Sequence, residues 1–238
     1  MPDNIIYLKD KKMIAENTMA ILFDRSNIHY EYEPGLYAEL TLLEPVYHDE
    51  LGNSRFFSIA NSPAKKEDLL FATRLVESAF NKNLKELPIG TSATIGPPMG
   101  NTPLHKDITK PGVFLIGGIG ITPVRCIVEY VTEEKLPYKL FLFYSSRNSG
   151  LMAFFDDFKN WAKIHDNFTF IPTIDDTNEK DWKYEYGYIN EEMISRHIKD
   201  YQQPIFYIVG PPDMVDSMEK ILTDKNVSSE NIRLERFG

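Results

Sequence analysis

The stretch from Gly112 to Pro123, GVFLIGGIGITP, constrains the fold of this chain more than any other. Val113, Phe114, Leu115 and Ile116 make a short continuous apolar run, the composition of a strand buried on both faces. Gly117, Gly118 and Gly120 follow it. From Val124 to Val131 apolar residues recur at helical spacing, and Pro123 suits the first helical position because its missing N–H needs no partner there. A strand that enters a helix through glycines presents bare backbone N–H groups and the positive helix end to a phosphate. Proline stands where the usual dinucleotide fingerprint has its third glycine, so a plain tight turn stays open beside the phosphate-binding one.

Downstream of Gly112 the pattern alternates. Strands are expected at 113–116, 139–144, 168–171 and 205–209, and helices at 123–135, 151–164, 190–200 and 212–224. That order predicts a parallel sheet with crossover helices. Upstream, residues 1 to about 105 read as all-β, with short strands at Met19–Phe23, Leu36–Leu43, Phe56–Ala60, Leu69–Leu75 and Ser92–Ile95. Turn clusters such as Asp49-Glu50-Leu51-Gly52-Asn53 separate them, which predicts a closed antiparallel barrel, interrupted by one helix near Asn81–Glu86. The fold class expected is β + α/β: a β-barrel domain over 1–107, then a parallel-sheet, Rossmann-like domain over 108–238. The polar stretch His105–Lys110 is the expected boundary.

Totals exclude several functions. The net charge is −9 and no Lys/Arg-rich run offsets it, which argues against nucleic acid as a partner. Cys126 is the only cysteine, so no intrachain disulfide forms and no iron–sulfur cluster is held by this chain's thiolates alone. No apolar run approaches the roughly 20 residues that span a bilayer, and the first residues lack a signal-peptide pattern; a cytoplasmic protein without membrane insertion is expected. The five histidines are scattered, with no pair at metal-binding spacing, so no metal site is expected. Asp156-Asp157 and Asp175-Asp176 read as solvated charges, and Met214, Met218, Trp161, Trp182 and Cys126 as packing.

Arg55-Phe56-Phe57-Ser58 is the second informative stretch. On a strand, Arg55 and Phe57 share one face, and an arginine beside an aromatic ring can fork onto a phosphate while the ring covers a planar group. An edge-strand arginine in water with Phe57 in the core is the alternative. Tyr32-Glu33-Pro34-Gly35-Leu36-Tyr37, Arg55 to Pro63, Gly117 to Pro123 and Val209-Gly210-Pro211-Pro212-Asp213-Met214 occur in this order along the chain. Together, from about Tyr30 to the C-terminus, they resemble the ferredoxin–NADP reductase-like family of flavin oxidoreductases.

The resemblance implies a flavin barrel followed by an NAD(P)H domain, with catalysis in the cleft between them. It implies that Arg55 meets the flavin phosphates, that Phe57 flanks the ring or ribityl chain, and that Ser58 reaches the reactive ring nitrogen. The family usually has tyrosine at Phe57. Gly96-Pro97-Pro98-Met99-Gly100 resembles its barrel-closing turn. Its second phosphate segment falls on Glu77-Ser78-Ala79-Phe80-Asn81, where Ser78 and Asn81 are the candidates although the glycines are absent; FAD is implied ahead of FMN. Gly118, Gly120 and Thr122 match the nucleotide turn, with Ser146 and Arg147 at the ribose end, where an arginine favours a 2′-phosphate. Gly210 and Pro211 match the turn beside the nicotinamide, but Val209 replaces the family's cysteine. In the closing strand, Glu235 is implied near the flavin edge as a proton relay and Phe237 against the ring. The expected function is a flavin-dependent oxidoreductase taking hydride from NAD(P)H and passing electrons to an unidentified protein or small-molecule acceptor. The alternatives are an FAD-binding relay component of a larger complex with little turnover of its own, and a non-catalytic flavin or nucleotide sensor.

Overall fold

The computed structural model of the chain describes residues 4–237. Strands β1 (Ile5–Ala15), β2 (Thr18–Asp24), β3 (Tyr37–Leu42), β4 (Ser54–Ser58), β5 (Asp68–Arg74) and β6 (Ser92–Ile95) form an antiparallel sheet in the order β4-β3-β6-β1-β2-β5. Helix α1 (Ala79–Glu86) lies between β5 and β6. The sheet wraps around a core that includes Ile6, Ile21, Phe23, Leu40, Phe71 and Phe80. Its two edge strands meet only beyond the end of β4, where Ala60 N–H donates to the Leu70 carbonyl at 2.7 Å. The closed barrel expected from sequence is therefore a barrel-like sheet left open along the β4–β5 seam.

β1 has no counterpart among the strands expected from sequence. Its run Lys9-Asp10-Lys11-Lys12 hides the strand, yet Ile6 and Leu8 are buried while Tyr7 and Lys9 face out, so alternation holds at its start. Pairing with β2 from Tyr7↔Asp24 to Ala15↔Thr18 carries the charged half as an exposed hairpin arm.

The second sheet contains β7 (Gly112–Gly117), β8 (Leu140–Ser146), β9 (Phe168–Ile174), β10 (Glu185–Tyr186), β11 (Ile205–Gly210) and β12 (Ile232–Arg236). Their order is β10-β9-β8-β7-β11-β12, and every neighbouring pair is parallel. Helices α2 (Ile121–Glu133), α3 (Phe155–Ile164), α4 (Glu191–His197) and α5 (Pro212–Asp224) make the crossovers. All six residues of β7 are buried, as its apolar run predicts. Strand order reverses across β7, with β8 on one side and β11 on the other, so the crevice of an open parallel sheet falls at the C-terminal end of β7.

Several helix starts and ends differ from expectation. α2 begins at Ile121, which puts Pro123 third rather than first, still within the turn whose N–H groups lack intrahelical partners. α3 begins at Phe155, after a 3-10 turn at Ser149–Leu151 and a left-handed Phe154 (φ 59°). α4 ends at His197, where Ile198 turns extended.

The two sheets share one apolar core: Ala20, Leu70 and Ala72 from the first pack with residues of α2 and α3. Arg125 of α2 ties the sheets together. Its Nη1 donates to the Ala60 carbonyl at 2.7 Å, its Nε to Asp157 at 2.8 Å, and it pairs with Glu129 at 3.4 Å. Glu129 in turn accepts the Ser62 N–H at 2.6 Å. Asp157, still partly exposed on its helix face, is thus ion-paired to a buried arginine rather than a free charge. Arg125→Met leaves Glu129 buried without its cation, and we expect a loss of about 3 kcal/mol in urea unfolding; an unchanged midpoint contradicts this role.

The stretch His105–Lys110 is strapped down rather than loose. The Tyr207 phenol accepts the His105 N–H at 2.8 Å, Tyr138 donates to the His105 carbonyl at 2.7 Å, and His105 Nε2 lies 2.8 Å from the Lys110 carbonyl. Burial lowers the His105 pKa and pushes the Tyr207 phenol up to about 12.

Candidate functional site

The glycines after β7 form a 3-10 turn, Gly118–Gly120, that leads directly into α2. Gly118 adopts a left-handed φ of +56°, and a Cβ there would meet the guanidinium of Arg74 from the first sheet. A Cβ on Gly120 would stand 2.7 Å from the Val209 carbonyl oxygen and 2.9 Å from Val209 Cγ1. Bare backbone is what lets the turn lie flush against the end of β11. No side chain caps α2; the Thr122 hydroxyl instead donates to the Ile119 carbonyl at 3.1 Å. The Ile121 N–H is taken up by the Gly118 and Ile119 carbonyls and Pro123 has none, so what the corner offers an anion is its bare glycine backbone and the positive end of α2, not a full set of free N–H groups.

Arg74 carries no sequence signal. It ends a strand of the other sheet, within no recognisable motif, and reaches the glycine turn only through the packing of the two sheets. Among the described residues the ion-paired arginines are Arg55, Arg125, Arg196 and Arg236. Arg74 and Arg147 stand outside that set.

The turn after β11 is pressed against the same corner. A Cβ on Gly210 would lie 3.2 Å from Gly117 N, and Pro211 precedes the first residue of α5. Phe237 N–H donates to the Gly210 carbonyl at 3.0 Å. Val209 is 1% exposed and pairs in register with Glu235 of β12. Glu235 accepts a hydrogen bond from the Thr102 hydroxyl at 3.1 Å. Burial raises its pKa, and the Thr102 hydroxyl pulls the other way. Gly120, Val209, Gly210, Glu235 and Phe237 therefore converge at one end of the sheet, from segments far apart in sequence.

At the neighbouring strand ends, buried polar groups lack partners. The hydroxyls of Tyr144 and Ser146 and Oδ1 of Asp175 are buried with no hydrogen bond among the described residues. Arg147 is exposed beside them, and its charge works against the burial that raises the Asp175 pKa. Unsatisfied hydroxyls and a carboxylate oxygen here suit the hydroxyl-rich end of a nucleotide.

In the first sheet, Arg55 and Phe57 pair with Leu40 and Ala38, while Ser58 pairs with Tyr37. Phe57 sits between Phe71 and Phe80, with ring centroids 6.1 and 5.8 Å away. The Arg55 guanidinium lies 5.1 Å from the Phe80 ring. Its Nη1 donates to the carbonyls of Leu51, Gly52 and Ser54 at 2.9, 3.1 and 2.7 Å. Its Nη2 is buried without a hydrogen-bond partner, 3.6 Å from Asp49 Oδ1. Asp49 Oδ2 accepts the Ala79 N–H at 2.9 Å, and Ser78 caps α1 by accepting the Asn81 N–H at 3.2 Å. Arg55 and the start of α1 are thus brought together, with a carboxylate bridging them. The Asn81 side chain points elsewhere, donating to the carbonyls of Arg74 and Val76 at 3.0 and 3.2 Å. It braces the turn that aims Arg74. Glu77, a charge that would oppose a phosphate, is exposed.

A cleft of about 1280 Å³ lies elsewhere, between the β1–β2 arm, the start of α3 and residues 178–184; it includes none of the glycines above.

The chain thus pairs an open parallel sheet, with a glycine corner at its reversal point, with a barrel-like sheet carrying an arginine at a helix start. Residues 114–220 match the oxidoreductase NAD-binding domain family. The flavohaem-like FAD/NAD-binding domain of nitric oxide dioxygenase from Vibrio cholerae superposes with a TM-score of 0.83, covering 99% of this chain and 98% of that one at 16% identity. A ferredoxin NADP+ reductase from Neisseria gonorrhoeae, with bound FAD and NADP, superposes with a TM-score of 0.79 over 98% of this chain and 97% of its own, at 17% identity. One component of the Na(+)-translocating NADH-quinone reductase of Idiomarina loihiensis is 29% identical over 199 residues, 77% of this chain and 48% of that component. The chain spans about half the length of the curated relatives it matches. It has the ferredoxin–NADP reductase-like fold and carries an oxidoreductase NAD-binding domain.

Proposed function

We propose that this chain is a flavoprotein reductase that takes hydride from NAD(P)H and passes electrons to a separate acceptor. The observation that carries the reading is the convergence of the Gly118–Gly120 turn, the Val209–Pro211 turn and the Glu235–Phe237 strand end at the C-terminal edge of β7 and β11. A flavin fits the first sheet: Arg55 Nη2 is a buried donor that makes no hydrogen bond, its one ion pair being the 3.6 Å contact with Asp49, and it lies beside a helix start and the rings of Phe57 and Phe80. FAD is the form proposed, because Arg55 and the start of α1 lie together, where a pyrophosphate would take over the contacts that the Asp49 carboxylate now makes with Arg55 and the Ala79 N–H. When bound, the flavin accepts a hydride and releases electrons singly or in pairs.

The chain's own residues do the positioning. Gly118 and the first turn of α2 receive the nucleotide pyrophosphate, and Arg74 supplies the cation. Ser146 and Asp175 receive hydroxyls at the far end. Gly120 lets the nicotinamide end approach Val209, whose side chain excludes water without supplying a thiol. Ser58 and Glu235 are proposed at the edge where a proton is held. With a single cysteine in the chain, the acceptor is another protein, a small molecule or a metal complex. No helix among the described residues is long and apolar enough to cross a membrane, and we place the chain in the cytoplasm.

The exposed, unpaired Arg147 suits a 2′-phosphate, which favours NADPH. Arg147→Ala is expected to raise the KM for NADPH about tenfold, as loss of a charge-assisted bond does, and to leave that for NADH unchanged; equal effects on both remove the preference. Val209 supports a second reading, a relay component with little turnover. Anaerobic reduction of the bound flavin by NADPH or NADH separates the two: rapid bleaching supports the reductase, and none supports the relay.

A further inference from the structure

We propose that Thr102 is the positioning residue that fixes the Glu235 carboxyl at the hydride-transfer end of the site, an inference that rests on the reductase reading above. Thr102 follows the last strand of the first sheet, is 3% exposed, and its hydroxyl donates to Glu235 Oε2 at 3.1 Å. That is the only side-chain partner of Glu235 among the described residues.

The hydroxyl is held in place from both sheets. On one side, Gly35 has a φ of +100°, and a Cβ there would sit 2.6 Å from the Thr102 carbonyl oxygen and 3.3 Å from Pro103 Cα. The absence of a side chain lets the Pro34–Tyr37 loop close on this segment, and Leu104 N–H locks it by donating to the Pro34 carbonyl at 3.0 Å. On the other side, the Pro103 carbonyl accepts from Arg233 and from the Tyr207 hydroxyl. Tyr207 and Arg233 pair in register, and two residues on, Val209 pairs with Glu235. Pro103 therefore sits over one pair and Thr102 over the next on the same face.

Charged neighbours of Glu235 are already engaged. Arg233 is turned onto Pro103 and Tyr207, and Arg236, on the opposite face, pairs with Asp216 at 2.8 Å and Glu219 at 3.3 Å. The phenol of Tyr207 faces His105. The Glu235 carboxyl is thus governed by burial and by one hydroxyl. A threonine hydroxyl donates to an ionised carboxylate and accepts from a protonated one. It holds the same rotamer through a protonation cycle, which a fixed cation cannot do.

Thr102→Val removes the hydroxyl at nearly constant volume, Thr102→Ala is a second deletion, and Thr102→Ser keeps the bond. Two readouts are needed. The first is the carbon-13 side-chain titration of Glu235 in the purified full chain, its resonance identified with Glu235→Gln. The second is the pH profile of kcat and KM for NADPH with ferricyanide as acceptor. We expect the valine and alanine variants to raise the Glu235 midpoint by roughly one pH unit and to shift the kcat profile by the same amount with KM unchanged, while serine restores both. An unmoved midpoint in both deletions, or a serine variant as displaced as valine, overturns the proposal. Absence of flavin reduction or turnover in the wild-type chain overturns the reductase reading, and Thr102's place in catalysis with it, whatever the titration shows.

Discussion

Arg55→Ala is expected to yield a chain that purifies without colour and binds added FAD at least a hundredfold more weakly than the wild type. Nη2 is a buried donor without a hydrogen bond, 3.6 Å from Asp49, so a phosphate placed against its two N–H groups gains charge-assisted bonds and satisfies them at once. Nη1 gathers the carbonyls of Leu51, Gly52 and Ser54, so alanine also loosens the loop that closes on that side. Two charge-assisted bonds at about 1.5 kcal/mol each make the hundredfold. Fluorescence titration of the apoprotein measures it directly, and affinity within threefold of wild type means that Arg55 holds only its own loop.

Gly120→Ala is expected to lower kcat/KM for the nicotinamide nucleotide at least a hundredfold while the flavin stays bound. The added methyl would lie 2.7 Å from the Val209 carbonyl oxygen and 2.9 Å from its carbonyl carbon, both backbone atoms of a central, fully buried strand. Neither can rotate aside as a side chain can, so the turn must lift off β11. That displaces the first N–H groups of α2, and a shift of about 1 Å in a positioning element costs on the order of a hundredfold. Steady-state kinetics alongside the flavin spectrum separate this from general unfolding. A variant with kcat/KM within fivefold of wild type shows that the corner is not where the nicotinamide nucleotide meets the protein.

Much of this organisation is legible in the residues. The apolar run of β7, its glycines and the strand–helix alternation after it predict a parallel sheet, because both faces of such a strand must be buried by crossover helices. β6 falls on the predicted residues, and β2, β3 and β5 within one or two of them. β1 escapes because its charges break the period of two, while its backbone is held by pairing with β6 over Ile5–Tyr7 and with β2 from Tyr7 to Ala15. Asp157 reads as a surface charge because the guanidinium that claims it lies on another helix. Asn81 reads as a phosphate ligand from its place in a motif, but its amide is spent on two carbonyls, a choice that depends on how β5 ends.

By itself, the order of apolar runs, glycines and prolines determined that this chain has a β half and an α/β half, and that a glycine corner follows Ile116. Those features are local, set by backbone conformation and by which face of an element avoids water. Only the tertiary structure decided that Arg74 covers Gly118, that Gly120 rests on Val209, and that Thr102 reaches Glu235 across the junction of the two sheets. Such contacts join residues with no common period, and they exist only once two separately legible sheets have packed on one core.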